Sequence, residues 1–236
     1  MAHHRTWTLM RDAIRAYLDE ATASFWTQAQ LLIFANRAKD RVASEVRKLR
    51  HVYFTVTRSS TDGSLTILAE TYLASSFAIV AGTRTYTLPP DFMSMQLIET
   101  ITSGYEDVRF VYRPLNHPDM RSALAYVGNI APSTFYFTIS GERTLRVVPP
   151  SDTALDLRIT YIQQFADLSA DSDELTMPYP LYMAVEHYAV ASAMMMDRDP
   201  NSAAHEARAR AIINEVVAAD VRQDQDIEVA TGYLDS

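Results

Sequence analysis

The chain has no cysteine. That absence excludes disulfides, thiolate-bound zinc, iron–sulfur clusters and a thiol nucleophile, and it suits assembly in a reducing cytoplasm. Glycine is also scarce, with six in 236 residues, below the ~7% of ordinary chains. Five of the six fall between Gly63 and Gly141, so turn chemistry belongs to the middle of the chain and the two ends are expected to be helical. No apolar core precedes the charges of MAHHRTWTLMRD, which is therefore no secretory signal. The most apolar later run, AVEHYAVASAMMM, holds Glu186 and His187 and is too short to span a bilayer, so no membrane partner is expected. A basic excess is missing as well. The formal net charge is −8, whereas tight phosphate binding needs clustered cations. The cluster Arg47, Lys48, Arg50 and His51 is read as closing a long helix, where cations offset the dipole.

What is present falls into three blocks. Met10, Ile14, Tyr17 and Leu18 share one face of a helix predicted from about Trp7 to Asp19. In FWTQAQL, Thr27 and Gln30 form a capping box, and Trp26 with Leu31 a hydrophobic staple. From there Leu31, Phe34, Ala38, Val42, Val46 and Leu49 make an apolar stripe, with Arg37, Lys39, Asp40, Arg41, Glu45 and Lys48 as the polar remainder. After His51 the period becomes two. VYFTVTR and SLTILAE read as a hairpin around Gly63, and seven further stretches read as strands; Ser140-Gly141-Glu142 marks another hairpin turn. Asn116-His117-Pro118-Asp119 caps a short helix within this block. An acidic loop, ADLSADSDELTMP, then leads to two helices. The first carries Leu181, Val185, Tyr188, Ser192 and Met195 on one face, and the second runs to Asp220.

The predicted fold class is therefore α+β, with a helical domain built from both chain ends and an inserted antiparallel β-sandwich or barrel-like domain. The expected boundaries are 1–51 and 166–220 for the helical halves, 52–165 for the β domain, and 221–236 for an extended C-terminal arm.

Patterns that carry chemistry are mostly missing. Glu186 with His187, and His205 with Glu206, are the His–carboxylate neighbours, but adjacent helical residues point apart. The acidic run Asp167, Asp171, Asp173, Glu174 lacks the spacing and glycine of a calcium loop. No nucleophile elbow, phosphate loop or dinucleotide fingerprint occurs. No catalytic, cofactor or metal residue is expected. Met194, Met195 and Met196 are read as core or subunit contact. Tyr53, Tyr72, Tyr86, Tyr105, Tyr112 and Tyr136 are read as amphipathic strand residues with wet hydroxyls. Pro89, Pro90, Asp91 and Phe92 interrupt a strand. Two prolines fix φ, Asp91 is expected to accept bonds from the following backbone, and the segment reads as a structural corner.

The ordered set of these elements resembles head-to-tail adaptor (connector) proteins of tailed bacteriophages. FWTQAQLLIFANRA is similar to that family's capped-helix opening. YTLPPDF is similar to its aromatic-x-Leu-Pro-x-Asp-Phe strand and corner. PSTFYFTISGERTLRVVPP resembles its paired strands ending in Pro-Pro, and LDLRITYIQQFADLSADSDELTMPYPLYMAVEHYAVASA its last strand, acidic loop and alanine-rich helix. The resemblance implies a structural virion protein at the head–tail junction, assembled in the host cytoplasm, with no cofactor and no enzymatic activity. It implies a ring of about twelve copies under the portal protein, met on its other side by a tail hub or nozzle protein. DNA would pass through its channel without sequence-specific binding. It also implies that a C-terminal arm climbs the portal, here through Val221, Ile227, Val229, Tyr233 and Leu234. Two other readings are weighed beside it: a β-sandwich binding module, for instance for carbohydrate, and a hydrolase pairing Asp91 with Glu99 or Asp107.

Overall fold

The computed structural model describes residues 5–20, 25–51, 53–67, 70–126, 128–131 and 133–232. In order the elements are β1 (Arg5–Thr6), α1 (Trp7–Tyr17), α2 (Gln28–Leu49), β2 (Thr55–Ser59), β3 (Ser64–Ile67), β4 (Glu70–Leu73), a 3-10 turn (Ala74–Phe77), β5 (Thr85–Thr87), β6 (Phe92–Thr100), β7 (Arg109–Tyr112), α3 (Pro118–Ala125), β8 (Thr134–Ser140), β9 (Thr144–Val148), β10 (Leu157–Gln163), β11 (Glu174–Leu175), α4 (Leu181–Met196) and α5 (Ser202–Gly232). The fold is α+β. It divides into two compact units, one of Met1–Tyr53 with Phe165–Ser236 and one of Phe54–Gln164.

In the helical unit α4 packs against α1, α2 and α5. A helix in that position must be apolar nearly all round. Leu181, Tyr182, Ala184, Val185, Tyr188, Ala189, Val190, Ala191 and Ala193 are all buried, together with Glu186 and His187. The one-faced pattern read from the sequence is thus too narrow for α4. Its methionine end goes the other way: Met195 and Met196 are 61% and 64% exposed, so they do not belong to the core. α2 is amphipathic as its stripe requires, yet Leu49 is exposed and Lys39, grouped above with the polar face, is buried.

In the β unit β2-β10-β6 form one antiparallel sheet and β5-β9-β8-β7 a mixed one, while β3 and β4 pair as a separate hairpin. β2 pairs with β10, not with β3, so the hairpin read around Gly63 is not formed by those two strands. β8 and β9 do form the hairpin expected at Gly141, whose φ of 62° suits glycine. β7 and β8 are parallel. Parallel neighbours need a crossover, and α3 supplies it. The sheets are open and no closed barrel forms among the described residues. Both sheets contribute to one core: Ile98, Leu157, Ile159 and Tyr161 from the first, Tyr86, Phe135, Phe137, Leu145 and Val147 from the second. Their alternation along each strand is what a half-buried sheet demands.

Candidate functional site

The sequence singled out the 89–92 corner, and the structure shows what holds it. Asp91 is 3% exposed. Its Oδ1 accepts from the Tyr161 hydroxyl at 2.6 Å and its Oδ2 from Arg58 Nη2 at 3.0 Å. Arg58 Nε also donates to the Tyr161 oxygen at 2.6 Å. The carboxylate therefore bonds two side chains on β2 and β10 rather than the following backbone. The corner's backbone is held separately: Phe92 N donates to Pro89 O, Gln164 N to Asp91 O and Gln164 Nε2 to Pro90 O. Burial raises the Tyr161 pKa, and Arg58 opposes that shift. Neither Arg58 nor Tyr161 could be paired with Asp91 from sequence alone, since both lie on strands far along the chain. Glu99 and Asp107 are exposed and are not the partners of Asp91.

The α2 start is built from local sequence. Thr27 Oγ1 accepts from Gln30 N at 3.3 Å, and Gln30 Oε1 accepts from Thr27 N at 3.0 Å. Trp26 packs edge-on against Phe34, with centroids 5.5 Å apart. Glu20 accepts from Trp26 N at 2.9 Å and pairs with buried Arg15 at 3.0 Å. Further along α2, Asn36 bonds both the N–H and the C=O of Leu168. Lys39, 1% exposed, donates to the carbonyls of Phe165 and Ala166 and to Asp167. Its long stem crosses the apolar face while its ammonium meets acceptors on the incoming chain.

The acidic loop is likewise structural in its bonding. Asp171 accepts from Arg11 and Gln28, and Asp173 from Ser169 and Ala170. Those bonds hold Asp173 below its usual carboxylate range. No group of three or more His, Cys, Asp or Glu suited to a metal occurs among the described residues. The tyrosines do not form one face. Tyr72 and Tyr86 are buried and donate to the Thr87 and Thr83 carbonyls, so their hydroxyls are not wet, while Tyr112 is exposed.

The His–carboxylate neighbours separate as adjacency demands. Glu186 pairs with Arg5 at 2.8 Å, and Glu206 with Arg41 and Arg210. Arg41 also bonds Glu45 and lies over the Tyr188 ring, and Tyr188 donates to Glu45 at 2.6 Å. The two histidines, which the sequence did not connect, meet across α4 and α5 with Nδ1 atoms 3.0 Å apart. Their 18-residue separation spans a helix–turn–helix, so only the packing of the two helices reveals the pair.

Where the sequence reading ends the last helix at Asp220, α5 continues to Gly232. The segment VRQDQDIEVAT contains no proline or glycine to break a helix. Val221, Ile227 and Val229 therefore lie on helical backbone, not on an extended arm. Tyr233 and Leu234 lie outside the described residues. Arg50, after α2, pairs with Asp220 at 2.8 Å, near where the continuation begins.

No helix among the described residues is long and apolar enough to cross a membrane. No curated protein matches this chain. The SU10 adaptor protein family matches residues 5–231, a span that covers both units, the corner and nearly all of α5. The chain belongs to the SU10 adaptor protein family, and its role is that of a structural phage adaptor.

Proposed function

We propose that the protein forms an adaptor ring of about twelve copies that joins the portal to the tail hub or nozzle and surrounds the DNA channel at the head–tail junction of the virion. The observation that carries this reading is the family match across residues 5–231. The bonding supports it. Buried polar side chains are engaged with one another and with backbone, as in Asp91–Arg58–Tyr161 and Lys39 with its carbonyls. That pattern suits a load-bearing scaffold better than a reaction centre.

The portal contact is assigned to Val221, Ile227, Val229, Tyr233 and Leu234. From Asp220 to Gly232 the helix adds about 18 Å of reach at 1.5 Å per residue. A ring needs two different complementary faces on each copy, and the exposed Met195 and Met196 suit one of them. A formal charge of −8 per copy favours passage of DNA over adhesion, because nonspecific binding needs phosphate neutralisation. Assembly takes place in the host cytoplasm, as the lack of cysteine permits.

Mixing the purified chain with portal from the same phage and measuring particle mass by light scattering tests this. The expected gain is about twelve chains per portal ring. No gain from a well-folded chain would refute portal attachment. Deleting residues 221–236 is expected to abolish the gain while leaving the far-ultraviolet circular dichroism of the remainder intact.

A further inference from the structure

We propose that His187 and His205 form a pH-sensitive latch between α4 and α5, closed while the pair holds at most one extra proton and opened by the second. A hydrogen bond between two Nδ1 atoms needs one donor and one acceptor. At neutral pH one imidazole carries its proton on Nδ1 and the other on Nε2, which accounts for the 3.0 Å approach. A first added proton goes to the free Nε2 of the donor ring and leaves the bridge in place. A second must go to the accepting Nδ1. Both facing atoms then carry hydrogen, both rings are cationic, and the bridge is lost.

The surroundings set the strength of the latch. His187 is 8% exposed, so its charged form loses hydration. From α1 the Tyr17 ring packs on both imidazoles, at 4.9 Å and 5.6 Å between centroids. From α5 Arg208 adds positive charge toward His187, and from the α4–α5 turn Asp199 offers His205 partial compensation. The carboxylates of adjoining residues and of α2 are committed elsewhere: Glu186 to Arg5, Glu206 to Arg41 and Arg210, and Glu45 of α2 to Arg41 and Tyr188. Burial lowers the pKa of both histidines, and for His187 the charge of His205 lowers it further.

The test is an NMR titration of the imidazole nitrogens in the full chain from pH 8 to pH 4, with thermal midpoints over the same range. Two linked steps at least about one pH unit apart are expected, with the α4 and α5 amide signals near residues 187 and 205 moving only in the lower step. The variant His205→Asn places an amide near the Nδ1 position without a titrating ring. It is expected to remove the lower step and flatten the midpoint's fall in acid. Independent titration of both rings near 6.5, or an unchanged acid fall in His205→Asn, would overturn the latch. Should that variant fail to fold, the wild-type titration decides alone.

Discussion

The two units bury their charges in different ways. In the β unit Arg58, Asp91 and Tyr161 make one closed triangle beneath a proline corner, within a large apolar core. In the helical unit the charges are dispersed: Arg15–Glu20, Arg5–Glu186, Lys39 with its carbonyls, and Arg41–Glu206 each tie a different pair of segments. A sheet brings many backbone groups together through its own ladder, so one side-chain lock suffices to fix an interrupted strand. Helices satisfy their backbone internally except at their ends, so they are joined mostly by side chains. The teaching is that the β unit concentrates its polar risk at one point, while the helical unit spreads it and includes a packed histidine pair.

Breaking the concentrated lock should have the largest effect. Asp91→Ala removes a buried carboxylate that accepts from both Tyr161 and the half-buried Arg58, and is expected to cost about 3 kcal/mol, more than the loss of a cap-type bond. Both tryptophans, Trp7 and Trp26, lie in the helical unit. Urea unfolding can therefore be followed separately, by tryptophan fluorescence for the helical unit and by the backbone amide NMR signals of residues 54–164 for the β unit. The β-unit transition should move to lower urea and the tryptophan transition should stay; equal movement of both would mean that the units unfold together.

Acid should act mainly on the helical unit. The folded pKa values of His187 and His205 are lowered by burial, so the unfolded chain binds more protons. Their contribution is present above the ordinary 6.5 and is lost as pH falls below it. Glu206, held down by its bond to Arg41, acts with the same sign below the ordinary 4.5. Glu186 acts the other way, because burial raises it despite Arg5, so its contribution grows as pH falls. At the alkaline end, burial pushes Tyr72 and Tyr188 up to about 12. Each contributes stability below the ordinary 10.0 that is lost as pH rises toward 12. Tyr72 lies in one unit and Tyr188 in the other, so both transitions should weaken there. Tryptophan-monitored midpoints between pH 7.5 and 5 should fall more steeply than those from the β-unit amide signals, and parallel curves would contradict the contrast.

The smallest effect is expected where the interaction is local. Thr27→Ala removes one side of the capping box and should cost about 1 kcal/mol. The shift should appear in the tryptophan transition and leave the β-unit amide transition unmoved.

Local chemistry was legible in the residues themselves. Thr27 and Gln30 are three positions apart, so a capping box needs no other part of the chain. Gly141 at a positive φ and the alternation of TFYFTIS and TLRVV specify the β8–β9 hairpin in the same way. The sequence of strand and helix periods also determined the α+β class. What depends on distant partners was decided only in three dimensions. Lys39 has the appearance of a surface residue until the chain returns at Phe165 with two carbonyls to meet it. Asp91 finds Arg58 and Tyr161, 33 and 70 positions away. His187 meets His205 only because α4 and α5 pack with those faces inward. Such pairings follow from which elements become neighbours, and a one-dimensional pattern encodes each element's own face but not the neighbour it will meet.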